Sequence, residues 1–268
     1  LLELTWIHRR WLIDDVRVLT ASEHLLAVAT EKAVEVWDRR TRERVQRVAL
    51  TNVADLAFHQ GDLYALLREK SLVRIEGEEA FQELELPARG KGLLSAPEGL
   101  YLALVDRLLC WDGELETVYE GRLHGGPVAV PGGVAVGTAD GVAVLREEVV
   151  EREGPPQVTQ LAWRDGEGLY AGGAGGEVLL HDLEAEAEPV RVRPPGTTLY
   201  DRAPGVISAL TCEGIVPIGD GAVLTSVTDG PNRLFRPGQE KLQDTPAGLM
   251  FRGPVHHHGN HTFVAGHD

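Results

Sequence analysis

Apolar and polar positions alternate in short runs along almost the whole chain, and one stretch sets the pattern. Leu25 to Asp38 reads Leu-Leu-Ala-Val-Ala-Thr-Glu-Lys-Ala-Val-Glu-Val-Trp-Asp, two apolar runs around a polar turn. Successive side chains on a strand point to opposite faces, so runs of this length bounded by turn residues predict half-buried β-strands. Echoes of the stretch recur at 63–77, 100–113, 134–147, 169–182 and 222–238, with a shortened copy at 262–268. Around them the pattern predicts units of four strands: 16–21, 25–30, 33–38 and 44–50, then 53–58, 63–67, 71–75 and 81–86. The third unit spans 92–95, 99–105, 108–111 and 115–119, and the fourth 126–130, 134–137, 142–145 and 148–152. The fifth takes 158–164, 169–171, 177–181 and 189–193.

The first residues of the second strands are Leu26, Leu63, Leu100, Val134, Leu169, Val223 and Phe263, spaced about 34 to 40 residues apart except for one gap of about 54. That is close to the roughly 40-residue period of a four-stranded propeller blade. The expected fold is therefore all-β: one domain over 1–268, a seven-bladed β-propeller of four-stranded blades. The strand at Leu1–His8 has no blade of its own and is expected to close the ring by completing the last one, which leaves only short, protected edges. Either that blade is three-stranded or residues beyond Asp268 complete it. The long gap implies an insertion in the sixth blade near 197–214, before a strand expected at 215–219, carrying Tyr200, Asp201, Arg202 and a Pro204-Gly205 breaker. Such an insertion lies on the binding face of a repeat array or is a tolerated surface loop.

Trp37-Asp38 and Trp111-Asp112 end third strands, and His181-Asp182 is a softened version. On these residues the chain resembles a divergent WD-repeat (WD40-type) β-propeller over essentially its whole length. The Gly-His dipeptide of that family is largely missing, and its Asp–His–Ser/Thr–Trp hydrogen-bond network cannot be assembled from any one blade. The resemblance implies a scaffold that binds other proteins through one flat face and the channel opening. It also implies that the turns between second and third strands lie on that face. These turns carry Glu31, Lys32, Arg68, Glu69, Lys70, Asp106, Arg107, Asp140 and Asp229, which with Tyr200 and Arg202 form the expected partner-binding set.

Charge narrows the partners. With 41 acidic against 26 basic residues the formal net charge is -15, so nucleic acid and anionic membrane are poor default ligands and a protein is the expected partner. Cys110 and Cys212 are in no metal spacing, and Cys110 lies in an apolar run. No charged-then-apolar segment opens the sequence, and no apolar run approaches the roughly 20 residues of a membrane span. A cytoplasmic location is expected.

Catalytic motifs are missing: there is no Gly-x-Ser-x-Gly, phosphate loop or His-Glu-x-x-His. The glycines at 172–176 lie between two strands and read as a turn, since a phosphate loop needs the helix that follows it. Glu184, Glu186 and Glu188 read as a solvated turn. The one local anomaly is His256-His257-His258-Gly259-Asn260-His261. A Gly-Asn hairpin there would set His258 beside His261, with His256 on the same face, three imidazoles sufficient for zinc with water as fourth ligand. No carboxylate lies within the cluster to orient the rings. The expected function is a non-catalytic interaction scaffold or sensor module without a cofactor. The alternative is a propeller enzyme or metal-dependent hydrolase that uses the channel or the histidine cluster.

Overall fold

The computed structural model describes residues 16–185 and 187–193, and beyond them the strands at 212–219, 222–227, 233–235, 243–244, 251–258 and 261–266. The chain runs as consecutive antiparallel sheets. The first holds β1 (Val18–Ala21), β2 (Leu25–Ala29), β3 (Val34–Asp38) and β4 (Arg44–Val48), and the second β5 (Val53–His59), β6 (Asp62–Leu67), β7 (Ser71–Glu76) and β8 (Glu79–Glu85). The third has β9 (Gly90–Ala96), β10 (Gly99–Leu104), β11 (Arg107–Trp111) and β12 (Leu115–Glu120). The fourth has β13 (Leu123–Val130), β14 (Gly133–Thr138), β15 (Gly141–Leu145) and β16 (Val149–Glu153). Then come β17 (Gln160–Arg164), β18 (Gly168–Gly172), β19 (Val178–His181) and β20 (Val190–Arg193), followed by β21 (Cys212–Gly219), β22 (Ala222–Val227), β23 (Arg233–Phe235) and β24 (Gln243–Asp244). A two-stranded sheet of β25 (Phe251–His258) and β26 (His261–Gly266) ends the described chain. Among the described residues no helix is long and apolar enough to cross a membrane.

Each four-stranded sheet is a meander in chain order. The first strand of each sheet lies against the first strand of the next, from β1 against β5 through to β21 against β25, and β25 also lies against β1. Burial follows this arrangement. The middle strands are almost wholly buried (β6 from Leu63 to Leu67, all of β15), whereas the fourth strands are exposed, with Val45, Phe81 and Leu115 in the open. The core therefore sits between neighbouring sheets. One cluster joins Tyr64, Leu66 and Leu72 of the second sheet to Leu93, Leu100, Leu102 and Leu104 of the third. Another joins Val142 and Val144 of the fourth to Leu169 and Ala171 of the fifth.

The third-strand aspartates have a plain local task. Asp38 accepts backbone N–H bonds from Arg40 (2.8 Å) and Thr41 (2.6 Å), Asp112 from Glu114 (3.3 Å) and Asp182 from Glu184 (2.9 Å). A short acidic side chain that bonds the backbone just ahead closes the turn into the fourth strand. The glycines after β18 form a turn, as expected: Gly175 and Gly176 have φ of 74° and 69°, and Gly173 N–H bonds Glu177 O at 3.1 Å.

Two strand starts lie three residues from the sequence expectation, the others within two. β13 begins at Leu123 rather than Gly126, because Leu123 pairs with Thr138 of β14, and its N–H also bonds Val105 O next to the third sheet. β21 begins at Cys212 rather than Ile215, so the insertion gives its last three residues to the ladder with β22. Cys110, in its apolar run, is half-buried. Leu1–His8 and residues 197–211, with Tyr200 and Arg202, lie outside the described residues, as do Asp229 and Glu186.

Candidate functional site

Antiparallel order places the turn between second and third strands at the same end of a sheet as the connection from its fourth strand to the next sheet. Backbone bonds tie the two together. Leu86 N bonds Lys70 O (2.7 Å), Arg68 N bonds Asn52 O (2.8 Å), Gly121 N bonds Asp106 O (3.0 Å) and Gly154 N bonds Asp140 O (3.1 Å). The charged turns named from the sequence thus share one face with the inter-sheet connections. Glu31 and Lys32 sit between β2 and β3, Arg68, Glu69 and Lys70 between β6 and β7, and Asp106 between β10 and β11, with Arg107 the first residue of β11. Asp140 lies between β14 and β15.

Local hydrogen bonds shape each turn. The Thr30 hydroxyl accepts from Lys32 N (3.3 Å) and Ala33 N (3.1 Å), which presents Glu31 and Lys32 at the tip. Lys70 takes the left-handed conformation, φ 68°. The acids of this face are mostly held by neighbours: Arg17 pairs with Glu31, the Asn52 amide donates to Glu69 (2.5 Å), and Arg107 pairs with Asp106 (2.8 Å). The Arg107 hydrogen bond holds the Asp106 carboxyl below its ordinary range. In the fifth sheet the corresponding turn contributes only Glu177, buried and paired with Arg191 at 2.7 Å.

The structure adds residues that the sequence reading passed over. Arg89 and Arg122 immediately precede β9 and β13, and Lys91 and His124 stand two residues further on. One carbonyl–amide relay joins them, since Val105 N bonds Arg89 O and Leu123 N bonds Val105 O, both at 3.1 Å. Burial, then Arg89, Arg122 and Arg68 in turn, hold the Lys91 ammonium below its ordinary pKa. His124 is likewise lowered by burial and by Arg122 and Lys91, against Asp140, and its Nε2 is buried without a hydrogen-bond partner among the described residues. The available signal was the repeat Arg-x-Lys at 89–91 and Arg-x-His at 122–124, one period apart.

Deeper along β5, Asp55 accepts from Leu56 N (2.9 Å) and, across to the next sheet, from Leu93 N (2.7 Å). The residue keeps part of its surface, yet the protein around its carboxyl desolvates it and pushes the pKa up to about 7, over the opposing effect of both donors. At the other end of the same strand pair, His59 Nδ1 meets Ser95 Oγ at 3.0 Å, a His–Ser contact between sheets rather than within one.

For the histidine hairpin, the backbone register pairs His258 with His261, His257 with Thr262 and His256 with Phe263. Gly259, Asn260 and the imidazoles lie outside the described residues. Among the described residues no group of three or more His, Cys, Asp or Glu side chains is placed to hold a metal.

No protein-family model and no curated protein matches this sequence. Solved structures do. The β-propeller domain of Myceliophteria thermophila Cps50 (Swd1) superposes with a TM-score of 0.68 at 12% identity, over 94% of this chain and 93% of that one. Kluyveromyces lactis Hsv2 gives 0.60 at 10% identity, covering 90% and 86%. The computationally designed Ika8 protein gives 0.57 at 14% identity, covering 94% and 93%. At such identities the likeness is one of fold, and the fold is that of a β-propeller, as the resemblance to WD-repeat chains implied.

Proposed function

We propose that the chain is a single seven-bladed propeller domain over 1–268, closed by its N-terminal strand, that serves as a non-catalytic binding platform for a protein partner. The observation that carries this reading is the recurrence of charged turns at one topological position in four successive sheets, all at the same end. A wet turn explains any single charge, but the shared position makes a surface of them. The contact of β25 with β1 supports the ring. The net charge of -15 favours a protein over a polyanion as the large ligand.

The test is a pull-down from lysate of the source organism. It compares the wild-type chain with a variant carrying Glu31, Lys32, Glu69, Lys70, Asp106 and Arg107 all changed to Ala, both checked for folding by circular dichroism. The variant removes three acids and three bases, so net charge is unchanged and only the surface is lost. A partner retained by the wild type and lost by the variant is expected. Equal capture by both would remove the rim from the reading.

A second reading, a metal site at the hairpin, is supported by the register that sets His258 opposite His261. Stoichiometric zinc in the wild type, lost from the His258→Ala/His261→Ala variant, would favour it. The same metal content in both would end it.

A further inference from the structure

The rim face is mixed in composition but not in availability. Among the described residues eight arginines of this acidic chain pair with carboxylates: Arg17, Arg44, Arg47, Arg74, Arg107, Arg146, Arg164 and Arg191. Arg68, Arg89, Lys91 and Arg122 form no ion pair among the described residues. They are exposed, and they come from one end of the second, third and fourth sheets. Glu69 and Asp106, the acids on the neighbouring turns of this face, are held by Asn52 and Arg107, and Asp140 on the adjoining turn acts on His124.

Like charges gathered at one place repel, and an isolated fold has no use for that cost. The backbone geometry nonetheless fixes the gathering. Val105 bonds both Arg89 O and the N–H of Leu123, which follows Arg122, and Lys91, two residues beyond Arg89, is close enough to feel both arginines. Gly90 and Gly92 between and beside them bring β9 close to its neighbours: a Cβ at Gly90 would meet Leu66 at 2.5 Å, and one at Gly92 would meet the Gly126 Cα at 2.4 Å. The sheets are thus drawn together where the cations are.

We propose that Arg68, Arg89, Lys91, Arg122 and His124 form an anion-binding site at the channel end of the rim face, and that it takes a short acidic peptide segment of the partner, bearing clustered carboxylates or phosphorylated side chains. This rests on the reading that the face meets a protein. Guanidinium groups match carboxylate and phosphate oxygens in pairs, and an ammonium adds a point charge beside them. A short segment fits better than a nucleic acid. The cluster spans three sheets, whereas the molecule around it carries a large negative excess that repels a long polyanion.

Fluorescence anisotropy tests this with three labelled probes: a Glu-rich peptide, a Ser-containing peptide with its serines phosphorylated, and a single-stranded oligonucleotide, beside a neutral peptide of equal length. The wild type is expected to bind at least one acidic peptide above the neutral one, and more weakly as salt is added. Which peptide wins identifies carboxylate or phosphate as the ligand group. Arg89→Gln/Arg122→Gln should weaken that binding at least roughly tenfold, since each charge-assisted contact contributes on that scale. Both substitutions are at exposed positions, and circular dichroism checks the fold. The rim variant described above retains all five residues and should still bind the peptide, so failure of the rim reading and failure of this one are distinguishable. Binding of neither acidic peptide, equal binding by the double variant, or tighter binding of the oligonucleotide would each overturn the proposal.

Discussion

His181 is 2% exposed at the end of β19, and burial, helped by the nearby Arg152 charge, pushes its pKa down to about 4. In the unfolded chain it returns to the ordinary value near 6.5. Between these values the unfolded state binds more protons, so acidification from pH 6.5 to 4 should cost stability, on the order of 3 kcal/mol from this residue. Asp55 acts with the opposite sign. Its pKa is raised to about 7, so its contribution is fully present below the unfolded carboxylate value and is lost as pH rises through 7. Urea titrations from pH 4 to 8 separate the two. His181→Leu should remove the loss on the acid side, and Asp55→Asn should flatten the decline toward neutrality. A wild-type profile left unchanged by either substitution would show that residue to be solvated. Glycine offers a second contrast at this scale. A methyl at Gly92 would lie 2.4 Å from the Gly126 Cα, and backbone cannot rotate out of the way, so Gly92→Ala should cost about 2 kcal/mol through overpacking. At Gly113 nothing lies within 4 Å and only the φ of 113° resists, so Gly113→Ala should cost about 1 kcal/mol.

Strands divide into buried and exposed kinds by their place in the sheet, and stability should divide with them. Leu102 on β10 is wholly buried in the cluster shared by the second and third sheets. Leu102→Ala should cost about 3 kcal/mol by denaturant unfolding, including the cavity left between sheets. Val45 on β4 is 57% exposed, and Val45→Thr should change stability by less than about 0.5 kcal/mol. Similar losses at both positions would mean that the fourth strands are covered in solution. These fourth strands mix apolar residues with charge, as in Arg44-Val45-Gln46-Arg47-Val48, a composition that discourages pairing with another edge. The same division explains what was legible in the sequence. Alternation and turn residues such as Gln60-Gly61 marked the strands of the first five units to within a few residues, because each run ends where a turn forces it to. The start of β13 was missed because Gly125-Gly126 has no strand signal of its own, and the ladder resumes before it where Leu123 pairs with Thr138. The charged turns were legible by position. Arg89, Lys91, Arg122 and His124 were not, since connections between units read as linkers until the antiparallel order folds them onto the same face.

At the scale of the whole molecule, the question is what would close the row of sheets into the proposed ring. Each sheet buries its faces only against its neighbours, so an open row would expose two terminal faces, and every internal cluster depends on the sheets at its sides. The first-strand contacts run in order from β1 to β25 and return to β1. Among the described residues the sheet of β25 and β26 is the one with two strands rather than four. Under the proposed closure, Leu1–His8 pairs there, linking the two ends of the chain through hydrogen bonds rather than through side-chain packing alone. Removing residues 1–8 should therefore act far from the cut. Thermal unfolding should begin at a lower temperature, and size-exclusion chromatography should show concentration-dependent association as the unpaired edge of β26 finds partners. Supplying the missing strand as a separate peptide should reverse both effects, which distinguishes loss of closure from nonspecific damage. If the truncated chain keeps its Tm and elutes as the wild type does, the N-terminal strand does not close the last blade, and the ring is held by the contact of β25 with β1 alone.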